Sequence, residues 1–496
     1  MIFIVKVSDS ERLSDFHKIF ITIKIFDSMK KIFYSLVTVL MILPSVVSAQ
    51  SNLRSGYFLD GYIYKYKMNP AMAPERGFFA MPLLGNLGLG LETNLGLSTF
   101  LYPTETGSLT TFLSPRVANE TFLKNISDNN KLNTNIDLGL LAFGFRTGKS
   151  FHTVDLSLRM DAGMNIPGGL FSFIKVGGAL GDTVWDISNL GLRTSARMEL
   201  AYGYSRSFGD ALRVGARAKL LVGLIRADIA LDKMSLEMSA DRWAVETHGQ
   251  MQMSGPISFA STQSNMVDWT SVNTDDLLEQ VMSPSMGFAL DLGATYEFLD
   301  YFTASLSVLD LGVMSWKNTM RAETPSTTMS FEGFESLDTD NITTQLTELT
   351  EDLMNAFNFE MLESGVKKSS ALAATINAGI EAKMPFYERL SFGALYTQRI
   401  EGDYSWSEGR IAATISPVNW FSATTNYAIS NFGHSWGGAL NIHLPGFGIF
   451  VGLDSFAPLL NMTPQYVPIN ALNTNLALGI NFSFGKYRGR FYKENE

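Results

Sequence analysis

The chain has 496 residues, a formal charge of −10, 42 Gly, 35 Phe and no Cys. The missing thiols exclude a disulfide scaffold and any thiolate nucleophile or metal site. An acidic balance without a basic block argues against nucleic acid as a partner. Charged residues are only 17% of the chain, which suits a sheet with one face in lipid and a small-residue face inside.

Residues 1–49 are read as a mis-called gene start followed by a signal peptide. Met29-Lys30-Lys31 is a basic n-region, Ile32–Leu43 an apolar run, and Val47-Ser48-Ala49 a small-residue cleavage site. Export follows, with the mature chain starting at Gln50. Residues 50–85 are irregular, with Pro70 and Pro74 interrupting a tyrosine-rich stretch. Residues 86–485 carry period-two alternation, and 486–496 form a charged tail expected in the periplasm.

Fourteen strands account for the alternation. Leu87 to Leu97 opens the first, Ile136–Ala142 the second, and Val154–Ala162 the third, with Asp155, Ser157, Arg159 and Asp161 on its opposite face. Ala196–Tyr204 and Leu212–Leu224 follow across a turn at Gly209-Asp210. The excursion 226–284 reads as a hairpin outside the membrane; counting it as two spans gives the rival total of sixteen. Phe288–Phe298 and Phe302–Val308 precede a second excursion, 317–370, with a short helix expected over 344–357. Ala374–Ile380, Leu390–Tyr396, hairpins near 411–415, 421–429, 436–442 and 447–453, and Leu476–Phe484 complete the set.

Short connections alternate with long ones, as periplasmic turns alternate with extracellular loops in outer-membrane barrels. The fold class is therefore all-β, a transmembrane antiparallel β-barrel of about fourteen strands with long extracellular loops. Aromatic residues gather at strand ends, Phe208, Tyr301 and Trp420 among them at the short-turn end, and Tyr102, Trp316, Tyr404, Trp406 and Trp436 at the other. Two such belts mark membrane interfaces. The last strand ends on Phe484, the pattern that barrel-insertion machinery recognises. Outer-membrane lipid and that machinery are the expected partners.

Ionisable residues concentrate on the inward parity: Asp137, Asp155, Arg159, Arg197, Glu199, Arg213, Arg217 and Lys219. The expected turns put Asp137 near Arg159, and Glu199 beside Arg217 or Lys219. Two readings stand, a charged lumen that guides solutes and a salt-bridge ladder that fills a narrow interior. Asp291 and Asp310 are read as further lumen contacts. His152, His248, His434 and His443 show no metal-ligand spacing, and no hydrolase or phosphate-loop motif occurs. The expectation is no enzyme and no cofactor.

Asn69-Pro70-Ala71 after the signal peptide, Gly77-Phe78 before a Gly/Leu strand, Asp310-Leu311-Gly312 followed by Trp316, and Tyr466-Val467-Pro468 resemble an uncharacterised family of FadL-like outer-membrane barrels of Gram-negative bacteria. The resemblance covers essentially the whole mature chain. It implies that residues 50–85 fold inside the barrel as a plug, with Asn69, Pro70 and Ala71 at a plug position. It also implies passage of small or hydrophobic molecules. No kinked strand for a sideways exit is identifiable in the sequence. The alternative is a structural barrel of a surface or secretion assembly.

Overall fold

A computed structural model describes residues 53–485 except 75, 105–107, 177–182, 239–242, 256–257, 274–283, 325–327, 332–358, 457–462 and 464–470. The expected signal peptide, the helix expected at 344–357, Tyr466-Val467-Pro468 and the expected periplasmic tail lie outside these residues. Fourteen antiparallel strands close into one barrel. They are β1 (Gly77–Ala80 and Leu87–Gly96), β2 (Asn129–Thr147), β3 (Ser150–Pro167), β4 (Leu190–Phe208) and β5 (Leu212–Met238). Then come β6 (Ser285–Phe298), β7 (Phe302–Glu323), β8 (Ala374–Met384), β9 (Tyr387–Ile400) and β10 (Trp406–Val418). The last four are β11 (Phe421–Ser430), β12 (Gly433–Leu444), β13 (Phe447–Leu453) and β14 (Ala471–Phe484). β1 pairs with both β2 and β14, so no open edge remains in the membrane wall.

Alternation decides which side chain faces which solvent, because successive Cβ atoms point to opposite faces. Leu200, Leu220, Phe288, Leu306, Ile411, Ile429 and Leu440 stand exposed on the outer face. Their neighbours in parity, Glu199, Lys219, Ala289 and Ser307, are buried inside. An apolar band of this extent would aggregate in water, and it belongs in lipid. Connections at one end are short; Gly209 takes φ +64°, a left-handed turn position that favours glycine. Long connections gather at the other.

Three features depart from the sequence-based expectation. The first strand begins at Gly77, so the boundary expected at 85/86 falls inside it, and residues 81–86 bulge between its two pieces, with 81–84 exposed and Gly85 and Asn86 buried. The bulge is stitched to both neighbours, with Met81 N donating to Ile480 O at 3.2 Å and Leu83 N to Gly139 O at 3.0 Å. Excursion 226–284 holds the expected outside hairpin rather than two further spans, and the departure is that this hairpin continues the barrel wall. β5 runs on beyond the membrane and pairs with Trp243–Ser254, which pairs in turn with the upper part of β7. Glu360–Ala371 extends this outer wall along β7. Finally, Trp316, Tyr404 and Trp406 are buried inside rather than placed on an outer belt. Parity puts Trp316 and Trp406 inward, the infolded connection 401–405 carries Tyr404 in, and Trp316 Nε1 donates to Ser370 Oγ at 3.0 Å.

Candidate functional site: a filled lumen

Eight strands close a barrel that side chains alone can fill, whereas wider barrels leave an interior that needs other contents. Here those contents are a segment of the same chain and a network of wall charges. Residues 53–74 lie inside, with Leu53, Tyr57, Phe58, Leu59, Tyr62, Tyr64, Tyr66 and Met68 forming an apolar cluster against Phe78, Ala142, Phe151, Leu395, Ala412, Ala439, Phe450 and Ala477. Tyr62 and Phe450 meet edge-to-face with centroids 4.9 Å apart, a favoured aromatic geometry.

The segment starts near the extracellular end. Arg54 makes ion pairs with Glu92, with Glu408 at 3.2 Å and with Asp454 at 3.9 Å, beneath the ring of Trp406 at 4.8 Å. Arg410 pairs with Glu408 at 2.9 Å and Asp454 at 3.5 Å. Ser55 N donates to Asp454 Oδ1 at 2.7 Å. The chain then descends, and Ser422 Oγ and Asn441 Nδ2 donate to Asp60 O at 2.5 and 3.0 Å near the short-turn end.

Asn69, Pro70 and Ala71 rest against β5, β6 and β7. Asn69 Nδ2 donates to the carbonyls of Ala294 and Leu306, both at 3.3 Å, and Ala71 N donates to Asn69 Oδ1 at 3.0 Å. The approach is possible because the wall offers Gly215 and Gly293 there; a Cβ on either would run into Pro70. Ser307 Oγ and Asn377 Nδ2 both donate to Met68 O, at 2.7 and 3.0 Å. Arg146 Nη2 donates to Pro74 O at 3.0 Å where the segment leaves for the wall.

The wall charges form one alternating chain. It runs Asp155, Arg217, Asp291, Lys219, Asp310, Arg159, Glu199, Arg197, Asp161, Arg399, Glu401, Arg193, Asp228, Arg226, each neighbour pair within 3.6 Å. Acid and base alternate throughout, so the chain is neutral. Its inner end is fully buried and its outer end partly exposed, from 0% for the Asp291 side chain to 28% for Arg193. Asp310 enters it through a bulge: its φ is +60° and its N–H donates to Asp291 Oδ1 at 2.8 Å. Near the mouth this chain leaves the strands that carry it and crosses the lumen, from Asp161 on β3 to Arg399 on β9. The connection 401–405 folds inward with it. Lys131 Nζ donates to Asp403 O at 2.8 Å, and Arg193 lies over the Tyr404 ring at 5.0 Å.

Seven of the eight expected lumen residues lie in this interior, and six belong to the alternating chain. Asp137 stands opposite Arg159 in register, yet its carboxylate takes Lys67 of the N-terminal segment at 3.4 Å. Glu199 is a correction: a three-residue turn puts Leu221 opposite it, and its carboxylate bonds Arg197 and Arg159 instead. Arg213 stays apart at the short-turn end, donating to Ser207 Oγ at 3.0 Å. Sequence reasoning missed Arg54, Glu92, Glu408, Arg410 and Asp454. The signal was present in part, because Glu408 and Arg410 share a parity opposite to Ile411.

Over the extracellular mouth, 97–104, 108–126, 168–176 and 184–187 fold into an apolar cap. Phe112 and Phe122 stack with centroids 4.3 Å apart, and Phe100 and Phe171 pack beside them. Lys175 Nζ ties the two loops together by donating to Phe112 O and Val117 O, each at 2.6 Å. Burial pulls its pKa below the ordinary lysine value.

A closed even-stranded wall, an apolar outer band and a filled interior define an integral outer-membrane β-barrel. The chain belongs to a family of unknown function, DUF5723, whose model matches residues 70–454. No curated protein matches it. Among solved structures it is similar to the toluene transporter TbuX of Ralstonia pickettii, at 10% identity over 89% of this chain and 100% of that one, TM-score 0.41. It is also similar to the toluene transporter TodX of Pseudomonas putida, at 10% identity over 84% and 93%, TM-score 0.37. A FadL homologue of Pseudomonas aeruginosa aligns at 8% identity over 88% and 100%, TM-score 0.38.

Proposed function

We propose that this protein is a plugged channel of a Gram-negative outer membrane, passing small or hydrophobic molecules once the N-terminal segment moves. The observation that carries this reading is that the lumen is occupied by residues that are not part of the wall. A barrel built only as a support could close on fewer strands and fill itself with side chains. The aromatic cap above the mouth supports an apolar solute, because Phe rings buried only by loops can part around a molecule of like character. The experiment is flux into liposomes of small uncharged solutes, apolar and polar, through the full chain and through a variant lacking residues 53–75. Faster entry after deletion, with apolar solutes preferred, supports the proposal; no flux through either form removes it.

A second reading, a scaffold barrel, rests on the tall outer wall formed by the upper parts of β5 and β7 with Trp243–Ser254 and Glu360–Ala371. It predicts a defined partner bound to that wall and lost when the wall is trimmed, with no flux in either form.

A further inference from the structure

We propose that the N-terminal segment closes a route along one side of the lumen, lined by β10–β14 and β1, with Arg54 as the latch at its outer end. The inference rests on the plugged-channel reading and adds where the route runs and what holds it shut.

The charge network divides the interior in two. No ion pair of the alternating chain uses a residue of the N-terminal segment, so displacement of residues 53–66 leaves its links in place, while Lys67, next to the hinge, keeps its own pair with Asp137 at 3.4 Å. Its crossing from Asp161 to Arg399, at 3.4 Å, bars the mouth on the β4–β8 side. The folded connection 401–405 reinforces that bar, held by Lys131 and Arg193. On the other side, among the described residues, the N-terminal segment fills the space below the Arg54 cluster. The wall facing it there is made of small groups such as Ala412, Ala439, Gly452 and Ala477, which accept the rings and Leu53 without any ion pair. Those contacts can be broken without stranding a charge.

The outer end differs. Among the described residues, Glu92, Glu408 and Asp454 face one another with Arg410 as the one cation the wall supplies to this cluster, and Arg54 brings the second. With Arg54 in place there are three carboxylates and two guanidinium groups. Without it, three carboxylates face one, and a buried excess of negative charge must draw in water or cations. The wall at this point is electrostatically complete only when the segment is seated, which is the property of a latch. The anchor at Asn69-Pro70-Ala71 has no comparable charge and remains as the hinge.

The test uses the full chain, and the absence of native Cys makes introduced thiols unambiguous. Arg54→Ala and Arg54→Lys are incorporated into planar bilayers, each also carrying Ala412→Cys, Ala439→Cys or Ser157→Cys. Heat-modifiable gel mobility confirms folding. Arg54→Ala is expected to raise cation-selective conductance at least ten-fold over the parent, and Arg54→Lys to remain near it. A methanethiosulfonate reagent should cut the Arg54→Ala current several-fold at Ala412→Cys and Ala439→Cys, and leave it unchanged at Ser157→Cys, beside the charge network. Block at Ser157→Cys, or none at the other two, overturns the route. Equal currents in Arg54→Ala and the parent, with a conducting 53–75 deletion, overturn the latch alone. Silence of that deletion as well removes the channel reading itself.

Discussion

Lys219→Met is the sharpest probe of the charge network. The ammonium lies 2.7 Å from Asp291 and 2.5 Å from Asp310, and its side chain is 3% exposed. At an effective dielectric constant of about 20, each contact has a gross attraction of roughly 6 kcal/mol. Desolvation of the ions offsets most of that in the intact network. Methionine fills a similar volume but leaves two carboxylates facing each other. Arg217 and Arg159 still hold one carboxylate each, at 2.9 and 3.2 Å, so the deficit is one charge. Removal of one partner from a buried pair costs about 3–5 kcal/mol, and that loss is expected in urea unfolding followed by heat-modifiable mobility in detergent. Arg193→Met, at the rim with 28% exposure, should cost under about 1 kcal/mol because water screens it. Equal losses in the two variants, or a Lys219→Met loss below about 1 kcal/mol, would refute the view that burial sets the weight of each link.

Leu306→Arg, on the outward face of β7 and 55% exposed, should lower stability in lipid by about 2–4 kcal/mol if it lies near the bilayer midplane. A neutral result in lipid-reconstituted unfolding would place that face away from acyl chains. Phe122→Ala empties the centre of the extracellular cap, a local loss of about 3–5 kcal/mol. It should speed tryptic cleavage at the exposed Arg116 and Lys124 and leave the mobility of the folded barrel unchanged. Gly215→Val drives a side chain into the backbone of Pro70 and Ala71; conductance should rise while the barrel still folds. Asn69→Ala removes the two bonds to Ala294 and Leu306 and should cost about 1–3 kcal/mol in the same unfolding assay.

All fourteen spans were legible in the sequence because one face of each meets lipid and the other does not, which forces a period of two. The turn at Gly209-Asp210 and the tall excursions were legible for the same reason, through breaks in that period. The split in β1 was not: residues 81–86 contain Pro82 and Gly85, but nothing in their order says that both neighbouring strands will stitch the bulge closed. Trp316, Tyr404 and Trp406 read as belt residues by their place at strand ends; parity within the closed wall turned the two tryptophans inward, and the infolding of connection 401–405 took Tyr404 with it.

Charge partners were the least legible. The register put Asp137 opposite Arg159, yet a lysine from the N-terminal segment, 70 residues earlier, reached the carboxylate first. The sequence by itself determined which residues face in, because alternation is a local property of an extended backbone. Only the tertiary structure decided whom they meet: closure brings β3 across to β9, folds the N-terminal segment up to the mouth, and lets Arg54 complete a cluster drawn from two distant strands and a strand-end loop.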